Sequence, residues 1–105
     1  MSPLRRARFG DVIERQLDLF ERRHRDVIEE TEEKLEAYNA ADRDEAEGLY
    51  GDYVDAVESG TELLAAIRDH FKATLDEGID DQYEREFNRA VAKRLPRFSL
   101  EIDLR

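Results

Sequence analysis

The chain has no cysteine among its 105 residues, which excludes disulfides, thiolate zinc sites and cysteine nucleophiles and leaves the redox compartment open. Tryptophan is absent too. With only two prolines and five glycines, a loop-rich or all-β fold is disfavoured. No apolar run is long enough to span a bilayer, and the N-terminus lacks the apolar core of a signal peptide. The expectation is therefore a soluble cytoplasmic protein without a membrane partner. Lysine is scarce: Lys34, Lys72 and Lys93 are the only three, a trace of coding bias or a salty habitat rather than of function. Basic residues are outnumbered 17 to 27, for a formal net charge of −10 and a pI near 4.7. That balance disfavours non-specific binding to nucleic acid or an anionic membrane.

What the chain does have is helical periodicity. Ile13, Leu17, Phe20, His24, Ile28, Thr31, Leu35 and Tyr38 follow one another in steps of three or four, one face of an α-helix. Charged residues fill nearly every position between them. A second stripe runs through Ala46, Tyr50, Tyr53, Val57, Gly60, Leu64, Ile67, Phe71 and Leu75. The segment around Asn39 and Asp42 supplies C′ and N-cap residues for a turn between the two, and Gly78 a stop after the second. Ser59-Gly60-Thr61-Glu62 reads as a capping box, where the helix could kink. Near the start, Ser2-Pro3 and Asp11 are both candidate helix starts, with a bend expected near Gly10.

These signals predict helices over about 11–39, 44–77 and 81–95, in one helical domain spanning 1–95. The third carries Tyr83, Phe87, Val91 and Leu95 on one face and is stopped by Pro96. The first two should form an antiparallel hairpin whose facing positions sum to about 84. Ile13 would then meet Phe71, and His24 would meet Gly60. Residues 96–105 alternate strictly, with Phe98, Leu100, Ile102 and Leu104 apolar, which predicts an extended, strand-like tail available to a partner. The fold class expected is all-α. Because a bare hairpin leaves one side of its seam open, a homodimer or larger homo-oligomer should complete a four-helix-type bundle.

The candidate chemistry is sparse. Glu21 and His24 have the E-x-x-H spacing that projects two metal ligands from one helix face, and Glu58 and Glu62 fall near the same level of the opposing helix. This arrangement resembles the ferritin-like plan, and loosely the two-helix encapsulated ferritins. The resemblance implies an iron or manganese site shared across a dimer. It departs from the plan in having no second E-x-x-H, since His70 is preceded by Ile67 and not by Glu. The competing expectation is no cofactor, with His24 partly buried beside a carboxylate. His70 and the serine and threonine hydroxyls show no triad context, and the paired acids have no cleft to converge in, so no catalytic residues are assigned.

Charge is also uneven along the chain. Antiparallel pairing gathers Arg5, Arg6 and Arg8 with Arg85, Arg89, Lys93, Arg94 and Arg97 at one basic end, above an acidic middle. That end could meet nucleic acid, which the acidic body opposes, or the acidic flank of another copy. The expectation that best joins these features is a non-enzymatic, oligomeric helical interaction or scaffold protein. It would bind a protein partner through its bundle surface or its tail. A di-metal carboxylate protein and a nucleic-acid-associated factor are the alternatives.

Overall fold

A computed structural model describes residues 8–105, all of whose regular structure is helical. The helices are α1 (Gly10–Arg23), α2 (Arg25–Asn39), α3 (Arg43–Lys72), α4 (Ile79–Arg94) and α5 (Ser99–Leu104). A 3-10 turn, Pro96–Phe98, leads into α5. The Ser2-Pro3 helix start lies outside the described residues. The molecule is elongated, 54 × 29 × 23 Å.

Two regions share the long α3. In the head, α1, the second half of α3, α4 and α5 enclose one core of Ile13, Leu17, Phe20, Leu64, Tyr83, Phe87, Val91, Phe98 and Ile102, none more than 3% exposed. In the arm, α2 pairs with the first half of α3 as an antiparallel hairpin. Over α2 and the first half of α3 the hairpin is as expected from the two stripes, whereas α1 packs on α4 rather than along α3. Tyr38 meets Tyr50 and Phe9 meets Phe71, ring centroids 5.2 and 6.5 Å apart, each pair four residues from the expected sum of 84.

Three boundaries differ from expectation. The helix predicted over 11–39 bends at His24, whose φ of −123° and ψ of 35° leave the helical region. Its N–H still donates to the Phe20 carbonyl at 2.8 Å, and its own carbonyl accepts from Val27 and Ile28, so the bend costs few hydrogen bonds. The bend falls where Phe98 and α4 hold α1 off α3, while α2 returns to α3. Conversely, α3 runs unbroken for 30 residues through Gly48, Gly51 and Gly60, and ends at Lys72 rather than near 77. Gly78 then adopts φ 97°, a conformation open to glycine, at the N-cap of α4.

The strand-like tail is overturned. Residues 96–104 form the 3-10 turn and α5, with Phe98 and Ile102 buried. An alternation as short as 98, 100, 102, 104 is ambiguous, because 98 and 102 are also i and i+4 of a helix, as are 100 and 104 on the other side. The head offered a groove for one such pair and no strand edge for an extended segment.

Candidate functional site

α4 has a helix-sized groove on each flank. Between α3 and α4 the groove is filled by the chain itself. Gly60 has no side chain, and a Cβ built there would overlap the Phe98 ring, so glycine is what lets the ring lie against α3. Phe98 meets Phe20 edge to face, centroids 6.4 Å apart. Deeper in the head sits Arg68, 1% exposed. Its Nη1 donates to Asn88 Oδ1 of α4 at 3.0 Å and to the Ile102 carbonyl of α5 at 3.1 Å, and its Nε donates to Asp69 Oδ1 at 2.9 Å. One guanidinium thus ties three helices together and satisfies a carbonyl in the last turn of α5.

Between α1 and α4 the matching groove stands open, with a volume of about 370 Å³. Its floor is apolar: Ile13 and Leu17 from α1 and Ala90 from α4. Its rims are charged. Arg94 closes one end, its Nη2 at 2.9 Å from both Asp18 Oδ1 and Glu21 Oε1. Burial opposes the Arg94 charge, but those two carboxylates outweigh it and raise its pKa. Glu86 is engaged by the Phe9 N–H at 2.8 Å and by Gln82 Nε2 at 3.0 Å. Among the described residues Arg89 and Lys93, exposed one turn apart on α4, meet no carboxylate, and on the α1 rim only Glu14 is without a cation.

The outer face of α5 is the third element. Leu100 and Leu104 are 72% and 74% exposed, the two most exposed large apolar side chains among the described residues. Asp103 beside them is exposed and Glu101 half-buried. Sequence spacing placed all four apolar tail residues on one partner-binding face. The structure divides them, Phe98 and Ile102 inward and Leu100 and Leu104 outward.

The expected metal ligands are not assembled. Glu21 is taken by Arg94, Glu58 and Glu62 are exposed on α3, and His24 lies half-buried with its ring 5.3 Å from that of Phe20. The space expected for the His24 ring over Gly60 is occupied by Phe98. Among the described residues no three His, Asp or Glu side chains converge as a metal-binding group. Of the basic end, Arg5 and Arg6 lie outside the described residues. Arg8 sits 5.8 Å from the Phe9 ring centroid, and Arg85, Arg89 and Lys93 line the exposed side of α4 at single-turn spacing. Arg97 reaches away to Glu32 of the arm.

Arg68 and Asn88 escaped the sequence reading. A signal for Arg68 was present: it falls one turn after Leu64 and three residues before Phe71, inside the apolar stripe of α3. No helix among the described residues is long and apolar enough to cross a membrane. Comparison of the chain with protein-family models, with curated proteins and with solved structures finds no match.

Proposed function

We propose that this protein is a non-catalytic helical interaction module, working as a scaffold that holds a protein partner on its head; the cytoplasm is the expected setting. One observation carries this reading. On a surface that is otherwise densely charged, the head keeps an apolar-floored groove beside α4 and turns two leucines outward on α5. Exposed apolar features rimmed by charge are the usual mark of a protein contact. A groove between two helices accepts the apolar face of a third, as the α3–α4 groove of the same head accepts α5.

Retention on the immobilised full chain tests the proposal. Wild type should retain a binder, whether this chain itself or another protein, that is lost with Ala90→Arg, which fills the groove, and with Leu100→Glu/Leu104→Glu. Retention by none of the three proteins, or equally by all, removes the reading. Circular dichroism melts of each variant separate loss of binding from loss of fold.

A further inference from the structure

We infer that the groove between α1 and α4 receives the outer face of α5 from a second copy of this chain, so that two heads join while their arms stay apart. This inference rests on the interaction reading and names its partner.

The fit is one of polarity and charge. Leu100 and Leu104 stand one turn apart on α5, and the groove meets them with the half-buried Ala90 between the exposed Glu14, Arg89 and Lys93, while Ile13 and Leu17, 3% and 0% exposed, back the floor from within the core. The acids flanking the leucines, Glu101 and Asp103, would face a rim whose two uncompensated cations are Arg89 and Lys93, against the single free carboxylate of Glu14. Because every copy carries both surfaces, a two-fold arrangement can make the contact twice. Charge also argues for heads over arms. Residues 25–58 hold thirteen acidic and three basic residues, so arm-to-arm pairing would bring −10 against −10. The described residues of the head, 8–24 and 59–105, hold fourteen acidic and twelve basic residues and carry little such penalty. Two small contacts of this kind fit a micromolar pair rather than an obligate one.

Sedimentation velocity of the purified full chain tests the inference. Wild type should approach twice the 12.3 kDa chain mass at tens of micromolar and dissociate on dilution. Leu100→Glu/Leu104→Glu and, separately, Arg89→Glu/Lys93→Glu should each weaken association by about tenfold or more. All four residues are exposed, so melting curves should stay near that of wild type. Adding Glu101→Lys/Asp103→Lys to the Arg89→Glu/Lys93→Glu chain should restore the dimer. A wild-type dimer untouched by both double variants, or a failure of the charge swap to restore association, places the contact elsewhere and overturns this inference. A chain monomeric throughout that range overturns it as well. In either case groove-dependent retention of another protein would still support the interaction reading, and its absence would remove both.

Discussion

The head and the arm are made from the same long helix and held together by different means. In the head, five of fourteen acids meet a cation among the described residues: Asp18 and Glu21 through Arg94, Glu84 and Asp81 through Lys72, and Asp69 through Arg68, while Glu86 accepts from a backbone N–H and Gln82. In the arm, among the described residues, only Glu32 of thirteen acids meets a cation, and that cation is Arg97 of the head. Burial follows the same division. α1 buries three side chains, whereas α2, of similar length, buries only Thr31, whose hydroxyl donates to the Val27 carbonyl. The head is therefore over-determined by packing and by specific polar contacts. The arm rests on one seam, helical propensity and its Tyr38, Tyr50 and Tyr53 cluster, against its own charge. Native-state hydrogen exchange should show this as slow amides in the core-facing turns of α1, α3 and α4 and faster ones throughout α2.

The sharpest break in that comparison is Phe98→Ala. It removes a ring that is 1% exposed and fills the notch over Gly60, so a loss of about 3–5 kcal/mol is expected in denaturant unfolding. Tyr50→Ala in the arm, at a residue 50% exposed, should cost under about 1 kcal/mol. Equal costs would mean that the seam of the arm is as tightly packed as the core of the head. Next comes Arg68→Ala, which leaves Asn88 Oδ1 without its Arg68 donor and the Ile102 carbonyl with the Arg105 N–H alone. About 3 kcal/mol is expected, with proteolysis starting at α5. Arg68→Met, which fills the volume without supplying donors, should recover part of that loss. A full recovery would make the guanidinium a space-filler rather than a clamp.

Legibility in the sequence also divides along this line. The arm was readable because a two-helix hairpin is little more than two periodic stripes and a turn, and both stripes were plain. The core of the head was readable in its parts, since Ile13, Leu17, Phe20, Tyr83, Phe87 and Val91 all sit at helical spacing. Its assembly was not. Whether Phe98, Leu100, Ile102 and Leu104 form one face or two depends on whether a strand edge or a helix groove awaits them, a tertiary fact that an alternation of four residues cannot carry. Gly60 shows the same limit. Its missing side chain was visible, and room for a ring above it was expected, but the ring is Phe98 from 38 positions away and not His24. The E-x-x-H spacing shows the same limit, because helical periodicity brings Glu21 and His24 to neighbouring turns without saying that Arg94 would pair with the carboxylate.

A third test probes the head alone, by pH. Tyr83 is fully buried and its hydroxyl donates to Gln16 Oε1 at 2.8 Å. Burial pushes its pKa up from 10.0 to about 12. The folded chain thus keeps a proton that the unfolded chain gives up. The contribution of this group is complete below pH 10 and is lost as pH rises from 10 through 12, by on the order of 2 kcal/mol. Compared with wild type, Tyr83→Phe should show a shallower fall in stability over that interval. Ultraviolet titration should lose one late-ionising phenol in the variant. Parallel pH profiles for the two proteins would mean that solvent already reaches the ring.

The smallest effect expected is at the joint. Arg97 forks onto Glu32, with Nε to Oε2 at 2.9 Å and Nη2 to Oε1 at 3.3 Å; the hydrogen bond to Glu32 raises the Arg97 pKa. Both side chains are about half exposed, so water and salt screen the pair, and Arg97→Ala should change global stability by at most about 1 kcal/mol. Its value lies in its position, because among the described residues it is the only ion pair between head and arm. Removing it should quicken amide exchange in the middle of α2 and leave α4 unchanged, and added salt should reproduce that pattern in wild type. If α2 and α4 quicken together instead, the arm and the head open as one unit, and the contrast between them is one of charge and not of independent stability.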